Sequence, residues 1–136
     1  MTVYVLDSSA LNRFLDKEAG CHRVKSLLRD CVEGRVEVRI SAVQWGEVAG
    51  NLRKRFGATG EVRIMNSLLP SEAKVVPASA ERAIHAADIK VDRNIAYADA
   101  FAVDLAMDSP GHVLVTADYG FKSVEDLARI EFLPAK

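Results

Sequence analysis

Thr2-Val-Tyr-Val-Leu6, followed at once by Asp7-Ser-Ser9, is the stretch on which the reading of this chain turns. Its first five residues are apolar and largely β-branched, the pattern of a strand buried inside a sheet. An acid comes next. Ser8 and Ser9 then stand as N-cap candidates, because a serine oxygen can accept a free amide hydrogen of a helix's first turn. Helical spacing continues through Ala10, Leu11, Phe14 and Leu15, and again through Val24, Leu27, Leu28 and Val32, until Gly34. Outward from there the alternation repeats. Val36–Ile40 reads as a second strand, Ala42–Phe56 as a long helix capped by Gly57, and Glu61–Leu69 as another helix stopped by Pro70. Lys74–Val76 is a short third strand, and Ser79 opens a helical run. Tyr97–Met107 is a further helix, and His112–Thr116 and Arg129–Leu133 complete four or five strands. Strands alternating with helices predict an α/β domain with a mostly parallel sheet covered on both faces.

Composition sets the limits of function. The chain has 136 residues, 49% hydrophobic and 27% charged, enough for one domain with its own core. No apolar run is long enough to span a bilayer, so no membrane role is expected. The opening residues carry no basic leader, and Cys21 and Cys31 are too few for a disulfide scaffold, so a cytoplasmic protein with buried thiols is expected. The net charge of −1 excludes a uniformly basic nucleic-acid binder, yet the halves differ. Residues 1–63 hold 11 Lys/Arg and 8 Asp/Glu, whereas residues 64–136 hold 7 and 11. A basic surface beside an acidic pocket would produce this asymmetry.

The acids fall in a pattern. In an open parallel sheet, ligands bind beyond the carboxyl ends of the strands. Asp7 follows the first strand directly, and Asp118 lies two residues past the fourth. Glu47 sits in the first half of the helix after the second strand, over the same edge. Asp99 lies near the start of its helix, among Ala96, Ala102 and Val103, where a lone carboxylate is costly unless something pairs with it. Each acid alone has an ordinary account: a helix cap, a strand-end turn, a solvated face. Four on one edge would repel one another unless a divalent cation neutralised them. Hard oxygen ligands select Mg²⁺ or Mn²⁺ over zinc. Such a site polarises a phosphoryl oxygen and generates a nucleophile from water, and two ions, if both bind, would lie about 3.5–4 Å apart. Ser9 and Thr116 would add hydroxyl contacts. Asp104, five residues past Asp99, projects about 140° around the helix and is expected to be solvated.

Four segments carry a family resemblance: Val5-Leu-Asp-Ser-Ser9, Ile40-Ser-Ala-Val-Gln-Trp-Gly-Glu47, Tyr97-Ala-Asp-Ala-Phe101 and Val115-Thr-Ala-Asp-Tyr-Gly-Phe121. In order and at ordinary spacing, they resemble the PIN-domain ribonucleases, and more narrowly the VapC-type toxins of toxin–antitoxin pairs. The resemblance covers nearly the whole chain and implies a single PIN-like domain over residues 1–136, a three-layer α/β/α sandwich. It implies that Asp7, Glu47, Asp99 and Asp118 form an acidic Mg²⁺ site, that RNA is cut endonucleolytically, that a cognate antitoxin inhibits the activity, and that the protein is a homodimer. Arg53, Lys54, Arg55 and Arg63 form a basic tip on and beyond the helix bearing Glu47, placed to hold phosphates leading to the acids. The competing account is a basic final turn complementing the helix dipole. Phe14, Leu15 and Trp45 are candidates for an apolar surface shared with a partner chain.

Other chemistries fit less well. His112 would lie at the opposite end of the sheet from Asp118, and His22 and His85 sit on separate helices outside the acidic cluster. A histidine acid–base pair across a phosphate is therefore not expected. A phosphatase of the haloacid-dehalogenase kind wants an aspartate where Ser9 stands. A phosphate-cradling loop wants glycines that the turn after the first strand lacks. A receiver domain wants paired acids where Leu6-Asp7 offers one. A non-catalytic PIN-like binding module and a DNA-directed nuclease of the same fold remain the alternatives. All four acids argue against the first, and the lack of a large DNA-clamping insertion argues against the second.

Overall fold

A computed structural model describes residues 1–136. Its elements in chain order are β1 (Val3–Leu6), α1 (Ser8–Leu15), α2 (Cys21–Val32), β2 (Glu37–Ser41), α3 (Ala42–Leu68), β3 (Lys74–Val76), α4 (Ala80–Arg93), α5 (Tyr97–Ala106), β4 (Val113–Thr116) and β5 (Arg129–Phe132). A 3-10 turn, Tyr119–Val124, links the last two strands. The five strands form one sheet in the order β3-β2-β1-β4-β5, and every neighbouring pair is parallel. The sheet is thus wholly parallel, and the five-strand alternative holds.

The side-chain period of a strand, two residues, sorts the core into two layers. Tyr4 and Leu6 of β1 and Val115 of β4 pack with Leu11, Leu27 and Leu52 of α1, α2 and α3. Val5 and Leu114 point the other way, onto Ala86, Phe101, Leu105 and Phe121 beneath α4 and α5. Three layers result. The order of the strands reverses between β1 and β4, since the chain leaves β1 toward β2 on one side and reaches β4 on the other. The carboxyl ends of these two strands therefore flank the crevice where parallel sheets place ligands.

Three local readings need correction. Asp7, not Ser8 or Ser9, caps α1: its side chain accepts from the Ala10 amide while both serines lie inside the helix. An acid one residue earlier reaches the orphan amide of the first turn, so no serine is needed. The long third helix continues past Phe56 as two helical segments joined at Gly57, whose backbone (φ 73, ψ −179) is non-helical. That conformation is open essentially to glycine alone. The second segment therefore begins immediately after Gly57, without waiting for Glu61. Asp104 is not solvated. Only 5% exposed, it accepts from Arg82 at 2.9 Å and lies 2.7 Å from Nδ1 of His85. The helical angle away from Asp99 holds, but α4 covers that side. His85 thus belongs to an acidic cluster after all, one separate from the carboxyl edge of the sheet.

Candidate active site

Asp7 is the most enclosed member of the site, 2% exposed. Its Oδ1 accepts from Ser9 Oγ at 2.7 Å and from the Ala10 amide at 2.9 Å, and its Oδ2 accepts from Thr116 Oγ1 at 2.6 Å. These contacts follow from the fold. β1 and β4 pair with Leu6 opposite Val115, so Asp7, just past β1, emerges beside Thr116, the last residue of β4. Burial nevertheless dominates, lifting the Asp7 carboxyl to about 6, against the three hydrogen bonds that favour its charged form.

Thr116 and Ser9 also form the frame that carries Asp118. Thr116 Oγ1 accepts from the Asp118 amide at 3.0 Å, Ser9 Oγ accepts from the Ala117 amide at 2.9 Å, and the two hydroxyls lie 3.2 Å apart. Asp118 in turn accepts from the Gly120 amide at 2.8 Å and opens the 3-10 turn. Both supporting hydroxyls predicted from the sequence therefore touch the acids or their backbone.

Asp99 stands in the first turn of α5, a helix whose start carries no side-chain cap. The capping account of this residue is thereby removed. Its carboxyl is raised first by burial, then by the charges of Asp118 and Glu47, and its own charge in turn raises Asp7. Asp99 is thus the electrostatic meeting point of all four acids. Glu47 is exposed and accepts from Ser8 Oγ at 3.1 Å. As the side chains stand, no three His, Cys, Asp or Glu residues close on one point as a ready-made ion cage. The donor set is nevertheless all carboxylate oxygen, and two of its members are held above their ordinary range. A hard divalent cation suits such a set.

Two polar residues escaped the sequence reading. Gln44, fully buried, accepts from the Ser8 amide and donates to the Ala98 carbonyl, both at 2.6 Å. It ties the start of α1 to the start of α5, and so sets Asp7 against Asp99. The available signal was a glutamine three residues before Glu47, facing inward. Ser8 is the second, through its contact with Glu47.

The basic residues are less uniform than the sequence suggests. Arg53 turns back onto Glu61 at 3.3 Å, and Arg55 pairs with Asp16 at 2.8 Å. Lys54 and Arg63 are exposed. Of the four, only Arg55 lines the polar cleft of about 480 Å³ that opens from Ser9 and Asp118. Phe14 and Leu15 line an apolar recess of about 590 Å³, whereas Trp45 packs half-buried against the core. Cys31 is buried, which raises its thiol, and Cys21 is partly exposed.

Known proteins share the fold. The family profile described as PIN domain matches residues 4–127. No curated protein matches the sequence. Among solved structures, the chain is similar to VapBC2 from Rickettsia felis, bound to a DNA fragment from their promoter, with a TM-score of 0.72 and 15% identity over 97% of this chain and 99% of that one. It is similar to DNA-bound VapBC from Salmonella typhimurium, with a TM-score of 0.70 and 19% identity over 97% and 98%. VapC20 from Mycobacterium tuberculosis, a toxin that cleaves the sarcin–ricin loop, gives a TM-score of 0.71 and 18% identity over 96% and 99%.

Proposed function

The chain belongs to the PIN domain family, and from that premise we propose that it is a divalent-metal-dependent endoribonuclease, the toxin of a VapBC-type pair restrained by a cognate antitoxin. The observation that carries this reading is the mutual charge of the four acids around Asp99, with Asp7 and Asp99 both raised by burial. A fold that kept such repulsion for structure alone would gain nothing from it. Asp7 and Asp99 would hold Mg²⁺, or Mn²⁺ in its place, with Glu47 and Asp118 completing the set by ligation or by orienting the attacking water. When bound, the ion would supply charge neutralisation at the phosphate and lower the cost of deprotonating the attacking water.

The chain's own part is to fix positions. Ser9, Thr116 and the Ala10 amide hold Asp7 in a single orientation. Gln44 keeps α5, and with it Asp99, at the right distance. Glu47, exposed and held only by Ser8, would complete the set as a ligand or by orienting the attacking water. Because water rather than the ribose hydroxyl attacks, the products carry a 5′-phosphate and a 3′-hydroxyl.

The partners follow the same reading. The R. felis and Salmonella structures are VapBC assemblies, and the recess lined by Phe14 and Leu15 supplies apolar area for an antitoxin. Homodimerisation accords with Ile84 and Val91, 67% and 77% exposed and seven residues apart on α4. No helix is long and apolar enough to cross a membrane, and the proposed place of action is the cytoplasm.

The test uses purified, antitoxin-free wild type and Asp99→Asn with total cellular RNA, in Mg²⁺ or in EDTA. Discrete fragments from wild type with metal, and from neither control, are expected. Cleavage that persists in both controls, or ends bearing a cyclic 2′,3′-phosphate, would refute the mechanism. Tight RNA binding without any cleavage would point to a non-catalytic module instead.

A further inference from the structure

We propose that Phe56 and Arg55 form a stacking platform for a base of single-stranded RNA, at the far end of the polar cleft that begins at Ser9 and Asp118. This inference rests on the ribonuclease reading and says where the strand lies. The cleft runs from the acids past Asn12 and Asn51 to Arg55. The Arg55 guanidinium joins cleft to platform: it pairs with Asp16 at 2.8 Å and lies 4.9 Å from the centre of the Phe56 ring. An aromatic ring beside cationic side chains is how single strands are held without reading sequence, with bases on the ring and phosphates on the cations.

Phe56 is placed for this by two glycines. It is 51% exposed, the last residue before the break at Gly57, where the helix would otherwise carry on and change its surroundings. A side chain at Gly60 would bring its Cβ within 2.5 Å of the Phe56 Cβ, so the bare backbone there is what lets the chain after the break pass this close to Phe56. The cleft is lined by three cations, Arg13, Arg55 and Lys136, and three acids, Asp16, Glu18 and Asp118, with Lys136 paired to Glu18, so the phosphates would meet the cations that no acid holds. Lys54 and Arg63 stand exposed, and Arg13, in the same cleft, spends its hydrogen bonds on the carbonyls of Ala19 and Pro134 rather than on an acid. Asp16 occupies Arg55 until a phosphate replaces it. The ion pair therefore makes the platform a displaceable contact, and removing Asp16 should strengthen RNA binding.

The experiment measures binding of a fluorescein-labelled, mixed-sequence 12-nucleotide single-stranded RNA by anisotropy in EDTA, across a salt series. Thermal melts of each variant accompany the series, and wild-type cleavage of total RNA is assayed separately in Mg²⁺. Phe56→Ala and Phe56→Leu are each expected to weaken binding about five- to tenfold, whereas Phe56→Tyr keeps it, the pattern of stacking rather than of apolar contact. Arg55→Ala should lower the salt slope by about 0.7, the share of one phosphate contact on a single strand. Asp16→Asn should tighten binding. If wild type cleaves RNA but Phe56→Leu and Arg55→Ala bind like wild type, the platform is refuted and the ribonuclease stands. If Phe56→Ala instead disrupts the dimer with RNA affinity unchanged, the ring belongs to a protein interface. If wild type neither binds nor cleaves RNA, both readings fall together.

Discussion

Replacing Asp7 with asparagine should make the metal-free protein more stable, although it removes the site's most enclosed acid. Asp7 is 2% exposed and its carboxyl stands at about 6, against 3.8 for an ordinary aspartate. Ionising it inside the fold therefore costs about 3 kcal/mol, at about 1.4 kcal/mol per pH unit. The sign follows from proton linkage. A group that binds its proton more tightly in the folded state supports the fold fully below its unfolded value, and that support is lost as pH rises through the folded value. Wild type should thus lose about 3 kcal/mol relative to Asp7→Asn between about pH 4 and pH 6. Asparagine can keep the contacts. Its oxygen can accept from Ser9 and Ala10, and its amide can donate to Thr116 once that hydroxyl turns toward Ser9, 3.2 Å away. The assay is urea denaturation of both proteins at a series of pH values in EDTA. The two stabilities should converge near pH 3.5 and separate to about 3 kcal/mol at pH 7.5, with the variant ahead. Adding Mg²⁺ should close most of this gap by stabilising wild type alone, by about 2.7 kcal/mol at a hundredfold excess over the dissociation constant. An Asp7→Asn protein less stable than wild type at pH 7.5 in EDTA, or a difference that ignores pH, would show that burial does not govern this carboxyl.

Two further substitutions separate the site from its scaffold. Thr116→Val removes a fully buried hydroxyl that donates to Asp7 and accepts from the Asp118 amide. It should cost about 2 kcal/mol in chemical denaturation and abolish RNA cleavage, whereas Thr116→Ser restores both; unaltered cleavage by the valine variant would remove Thr116 from its supporting role. Asp104→Ala strips a buried carboxylate from Arg82 and His85. It should cost about 2 kcal/mol at neutral pH while metal-dependent cleavage per folded molecule stays at the wild-type level, since the cluster lies away from the acidic edge. A selective loss of cleavage would link the two clusters.

How far the sequence could be read depended on how local each cause was. Strand periodicity and the rule that ligands gather at the carboxyl ends of parallel strands place Asp7 and Asp118 together from sequence alone, because Asp7 follows its strand at once and Asp118 lies two residues past its own. Asp99 was legible for a different reason: a charge on a stripe of alanine and valine is conspicuous in the sequence itself. Asp104 shows the limit. Its angle around α5 follows from helix geometry, but the sequence does not say that α4 lies on that side with Arg82 and His85, so the pattern predicts exposure where burial holds. The cap of α1 failed on a smaller scale, since Asp7 and Ser8 were both competent and only the backbone entering the helix decides between them. The cleft lies further out of reach. Its walls come from residues 9–18, 51–55, 117–118 and Lys136, four stretches joined only by the folding of the sheet. Arg55 could be read as basic but not as the one member of its cluster that faces the site. Phe56 owes its exposure to a break at Gly57 whose angle no periodicity reports. The chemistry of this protein is therefore legible where it sits at the end of a strand, and illegible where distant segments must first be brought side by side to guide the substrate.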